Sequence, residues 1–117
     1  MKRLVTLITA LLLLTSCGKE KPENTRIPKD IIGPDKMEKV LTDVHLVEGS
    51  LVYIRSKKGN YEELKNYYYR FIFKKHNISR EQYEKSLAFY QDHIDLLEEI
   101  YVKVFENIEK RRSEPVI

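Results

Sequence analysis

Tryptophan is absent from this 117-residue chain, cysteine occurs once, and glycine and proline occur four times each. A single cysteine closes no disulfide within the chain, which excludes a disulfide-stapled scaffold. The few glycines are scattered and build no phosphate-cradling loop. A membrane-crossing helix needs about 20 apolar residues. The longest almost wholly apolar run here, residues 4–14, has eleven residues, Thr6 and Thr9 among them.

Candidate chemistry is equally thin. Three histidines, His45, His76 and His93, are spread over separate segments, so no metal site is expected,. The serines Ser50, Ser56, Ser79, Ser86 and Ser113 lack a converging histidine and acid, and adjacent carboxylates such as Glu62-Glu63 and Glu98-Glu99 diverge on a helix,. The expectation is a protein that is not an enzyme and carries no cofactor.

What is present at the N-terminus is a leader: the basic start Met1-Lys2-Arg3, the apolar run, and then Leu14-Thr15-Ser16-Cys17,. Those last four residues resemble the bacterial lipobox at every position. The resemblance implies cleavage after Ser16 and acylation of Cys17, with palmitate among the chains, as the lipid attachment that holds the protein at the membrane. Two or three acyl chains give stable anchorage, at about 0.8 kcal/mol per buried methylene. Removing residues 1–16 also takes away Lys2 and Arg3, leaving nineteen basic against eighteen acidic residues. Such a balance offers nucleic acid no basic surface. Residues 17–33 hold Pro22 and Pro28 among polar residues and read as a flexible tether with an average reach of about 20 Å. Gly18 in place of an acidic residue after the cysteine points to the outer membrane. Lys19-Glu20 leaves the periplasmic face or the cell surface undecided.

The domain proper is predicted over residues 34–112, followed by a frayed tail at 113–117. A first helix begins at Pro34 and carries Met37, Val40, Val44, Val47, Leu51 and Ile54 at spacings of three and four until Gly59-Asn60,. A second spans about residues 61–76, with Lys74, Lys75 and His76 in its last turn and Asn77 suited to a left-handed cap. Ser79 and Gln82 then form a capping box, with Ile78 and Tyr83 as a hydrophobic staple. From there Tyr83, Leu87, Tyr90, Ile94, Leu97, Tyr101, Val104 and Ile108 continue one alternating four-three seam, which predicts a single helix of about 33 residues,. The fold class is therefore all-α, an antiparallel three-helix bundle with a long C-terminal helix, preceded by a signal peptide and tether.

In that layout the last helix outruns its neighbours by roughly 20 Å, and Tyr101, Val104, Phe105 and Ile108 form a candidate partner surface on the overhang. The overhang docks a partner protein, pairs with a second copy, or is covered by bending of the helices.

Several stretches taken together resemble a family of small Bacteroidota lipoproteins known by a domain of unknown function. They are Ile27-Pro28 with Ile31-Ile32, then Met37, then Leu41-Thr42-Asp43-Val44-His45-Leu46-Val47-Glu48, then Phe71-Ile72-Phe73-Lys74-Lys75-His76-Asn77-Ile78-Ser79, then Gln82-Tyr83, Ser86-Leu87 and Tyr90. The resemblance implies an envelope lipoprotein with a helical domain and no established activity. Asp43, His45 and Glu48 fall within the matching pattern and form a candidate polar site. The functional expectation is an outer-membrane lipoprotein serving as a protein-binding accessory subunit of an envelope assembly. The alternative is a periplasmic carrier or chaperone for an apolar ligand held between the helices.

Overall fold

The computed structural model describes residues 25–56 and 60–114. The leader, Cys17, the first part of the tether, Gly59 and the last three residues lie outside that range. Among the described residues there are four α-helices and no strand: α1 (Pro34–Ser56), α2 (Tyr61–Lys75), α3 (Arg80–Gln91) and α4 (Ile94–Ser113).

Helix α1 starts at Pro34, whose fixed φ suits a first helical position and whose missing N–H leaves no orphan donor. The Met37 N–H then reaches the Gly33 carbonyl at 2.8 Å. Met37, Val40, Leu41, Val44 and Leu51 are all buried within an arc of about 100°, and Thr42 and Asp43 are buried to either side of it,. Helices α2 and α4 both pack on α1, which makes it the centre of the domain. Glu48 of α1 meets Tyr69, whereas Asp43 meets Lys75 and His76, so α2 returns antiparallel. Gly49 is exposed, and a Cβ added there would meet nothing within 4 Å; it marks no close helix approach.

The turn after α2 follows its local chemistry. Asn77 takes φ 52°, the left-handed conformation that asparagine tolerates, and the Ile78 N–H closes back on the Phe73 carbonyl at 3.0 Å,. The Ser79 side chain accepts from the Gln82 N–H, and Ile78 and Tyr83 are both buried beside it,. Helix α3 clamps the segment that enters α1. Ser86 Oγ accepts the Ile32 N–H at 2.9 Å, and the Tyr90 hydroxyl donates to the Ile32 carbonyl at 2.7 Å. Both side chains are fully buried, so the backbone of Ile32 enters the core with both its polar groups satisfied,.

The long C-terminal helix expected over residues 79–112 is in fact two helices, so the domain has four helices rather than three. Asp92 still bonds to the Ala88 carbonyl, but the His93 N–H tightens onto Tyr90, and His93 leaves helical geometry at φ −124°, ψ 72°. The Phe89 carbonyl that it abandons is taken by its own Nδ1–H at 2.7 Å, with the imidazole stacked on the Phe89 ring. Helix α4 then ascends beside α1 in the same general sense: Lys103 reaches Glu38, Asn107 reaches Thr42, and Arg111 reaches Asp43. Breaking a helix loses one or two hydrogen bonds at about 1 kcal/mol each. Burying Ile100 and Val104 returns about 1.5–3 kcal/mol apiece, so packing decides the geometry,. Ile94, a member of the sequence seam, is left 63% exposed beside the break.

Val104→Ala is expected to lower unfolding free energy by roughly 2 kcal/mol, whereas Phe105→Ala, one residue on but 64% exposed, changes it by less than about 0.5 kcal/mol,. Urea denaturation followed by circular dichroism measures both. Equal effects would show that α4 does not pack on α1 through Val104.

Candidate binding groove

Asp43 stands on α1 where the C-terminal ends of two other helices arrive. Its Oδ2 accepts from Lys75 Nζ at 2.9 Å and from His76 Nε2 at 2.6 Å, and its Oδ1 accepts from Arg111 Nη1 at 3.0 Å. Cations are favoured at helix C-termini because the unsatisfied carbonyls there carry partial negative charge. One carboxylate therefore gathers the cations of two helix ends. The Asp43 side chain is only 10% exposed, while Lys75 and Arg111 remain about half exposed above it. Burial alone pushes the carboxyl up, but the hydrogen bonds from Lys75, His76 and Arg111 outweigh it and hold Asp43 below the ordinary carboxylate range,.

The other two members of the expected polar site face elsewhere. His45 Nε2 and the Tyr101 hydroxyl are hydrogen-bonded at 3.2 Å, with their rings 5.5 Å apart. Glu48 accepts from the Tyr69 hydroxyl. Around it, burial pushes the Tyr83 phenol up to about 12, with the Glu48 charge adding to the effect, and the same two causes raise Tyr69 and Tyr101. These phenols stay protonated, and that of Tyr69 donates to Glu48. Asp43, His45 and Glu48 thus bind three separate sets of partners and do not converge. Among the described residues no group of three or more His, Cys, Asp or Glu side chains is placed to hold a metal ion.

The residues expected on an overhang are also separated. Val104 is fully buried against α1, and Tyr101 and Ile108 are partly buried against the core, which leaves Phe105 alone of the four well exposed. The break at His93 is the physical reason, because it folds the second half of the seam back onto the domain.

A surface feature that the sequence pattern did not single out lies on the other side. Between α1 and α2 runs an open groove of about 300 Å³. Leu46 and Val47 form one wall, and Tyr67, Tyr68, Phe71 and Ile72 form the other. Asp43, Lys75 and Arg111 close one end. Tyr67 and Phe71 are 56% and 59% exposed, so α2 presents aromatic side chains to solvent as well as to the core. The readable signal was the width of its apolar stripe: Tyr67 and Phe71 extend beyond what burial of Ile72 and Phe73 requires.

These features define a small all-helical domain with an aromatic surface groove closed at one end by a carboxylate and its cations. A family model described as Domain of unknown function (DUF4296) matches residues 28–114, and the chain belongs to that family. No curated protein and no solved structure matches it.

Asp43→Asn is expected to cost about 2 kcal/mol at pH 7, between exposed and fully buried ion-pair values. Because the folded carboxyl titrates below its unfolded value of about 3.9, its contribution is complete above that pH and fades as pH falls through the folded value. The gap between variant and parent in urea midpoints should therefore narrow below about pH 4. A gap that stays constant down to pH 2 would assign the loss to packing and not to charge.

Proposed function

We propose that this chain is an outer-membrane lipoprotein, anchored through acylated Cys17 and held on a tether that is shorter than residues 17–33, because Ile27, Ile31 and Ile32 pack on the core, and that its helical domain acts by docking protein. On this reading it is a non-catalytic accessory subunit of an envelope assembly. The anchor rests on the basic start, the eleven-residue apolar run and the Leu14-Thr15-Ser16-Cys17 box,. No helix among the described residues is long and apolar enough to cross a membrane.

The observation that carries the docking role is the outward face of α2. Tyr67, Tyr68 and Phe71 are large, rigid and exposed, line one wall of a groove, and have a cationic end beside them. Aromatic anchors set in a concave apolar surface are what a protein-binding site offers. A carrier for an apolar ligand needs more enclosure, since small-molecule sites typically bury about 70–90% of their ligand. This groove lies open along its length and favours docking.

Cys17→Ser is expected to abolish metabolic labelling with palmitate and to move the chain out of the membrane fraction. Continued labelling would refute the anchor. For the docking role, the full chain tagged within residues 19–24 is purified from native membranes beside a Phe71→Glu variant and compared by mass spectrometry. The parent should retain a stoichiometric protein that the variant loses at least tenfold, with helical content unchanged because Phe71 lies outside the core. Equal recovery from both would remove α2 as the docking face.

A further inference from the structure

Glu63, Tyr67, Phe71 and Lys75 are spaced four residues apart along α2, and all four are exposed. Residues at that spacing form one of the ridges by which helices pack. Read from its N-terminal end, the ridge runs acid, aromatic, aromatic, base. A reversed copy presents base, aromatic, aromatic, acid, so the ridge complements itself. From the α2 ridge we infer that the protein docked on this face is a second copy of this chain, with the two α2 helices antiparallel across a two-fold axis near residue 69. This rests on the reading of the α2 face as a docking surface and names its occupant.

In that arrangement Tyr67 of each copy lies opposite Phe71 of the other, and Glu63 opposite Lys75. A two-fold axis makes each contact occur twice, as an isologous interface requires. The charges at the groove mouth agree with it. Asp43 stands alone against Lys75 and Arg111, an excess of positive charge at the end where the acidic first turn of the second copy, Glu62 and Glu63, arrives. The ridge through another exposed aromatic, Phe105 on α4, runs Leu97, Tyr101, Phe105, Glu109 and has no such symmetry. Six aromatic side chains, each covering about 100 Å² of what it now exposes, together with the charged ends give roughly 1,000 Å², the lower end of specific interfaces. Such a dimer is weak in dilute solution and gains from any confinement that raises the local concentration of the chain.

Two full-length copies carrying different tags within residues 19–24 are co-expressed, solubilised in mild detergent, captured through one tag and quantified through the other. Glu63→Lys in both copies, or Lys75→Glu in both, should each cut co-capture at least tenfold by setting like charges opposite one another. Glu63→Lys in one copy with Lys75→Glu in the other should restore it, because both opposed pairs then regain opposite signs. Lys75→Glu also sets a carboxylate beside Asp43 and can unsettle the fold. Phe71→Glu, exposed and not among the hydrogen-bond partners of Asp43, is therefore the second variant, with an expected tenfold loss at unchanged helicity. Co-capture that survives Phe71→Glu, or that the mixed charge pair fails to restore, overturns the antiparallel dimer. If the copies do not co-purify but a different protein is held through Phe71, the docking face stands and the second copy is rejected. If neither is held, both fall together.

Discussion

Helix α1 buries more of its circumference than one neighbour can cover: an apolar arc from Leu41 round to Val47, with Thr42 and Asp43 buried beyond its two ends,. Helix α2 follows α1 through a short connection and takes one side as an antiparallel partner. The other side is covered from further along the chain, by the stripe of Ile100, Val104 and Ile108. A straight continuation of α3 would carry that stripe away from α1. The break at Asp92 and His93 is the consequence, and it is made inexpensive locally: the imidazole of His93 satisfies the carbonyl that its own backbone gives up,.

Once α4 lies beside α1, the charges at the helix ends fall into place. The basic last turns of α2 and α4, each favoured by its own helix dipole, would repel one another where they meet,. Asp43 stands between them, buried enough for its contacts to be little screened by solvent and paired enough to remain ionised. Other polar groups of α1 are turned to its neighbours as well. His45 goes to Tyr101 on α4, Glu48 to Tyr69 on α2, and Thr42 donates back to Glu38 while accepting from Asn107 on α4. The polar side chains along α1 thus fix how its two flanking helices sit while keeping their hydrogen bonds made.

Local signals reported local structure well. Pro34, Asn77, the Ser79–Gln82 pair and the Ile78–Tyr83 staple all act within a few residues of themselves, and their roles were legible because no distant contact competes with them. The division of the last helix was not legible. No proline or glycine marks it, and the four-three seam passes through Tyr90, Ile94 and Leu97 without interruption, because the same spacing serves two helices that use it against different neighbours. The polar site was half legible for the same reason. Asp43 belongs to a recognisable pattern, but two of its partners are 32 and 68 residues away, and only the return of α4 brings Arg111 to it. His45 and Glu48 share that pattern and nothing else.

The exposed face of α2 follows from the same rearrangement. In a simple three-helix bundle the last helix would lie in the groove between α1 and α2 and cover Tyr67, Tyr68 and Phe71. Here the C-terminal stripe packs on another face of α1, and among the described residues no helix fills the groove, which keeps its apolar lining. The helix dipole then supplies direction. An acidic first turn and a basic last turn are favourable for α2 by itself, and they also set opposite charges at the two ends of its aromatic ridge,. A surface with acid at one end, base at the other and rings between them accepts an identical helix only in the antiparallel sense. The arrangement that stabilises α2 in isolation is therefore also the one that would specify the orientation of a copy packed against it.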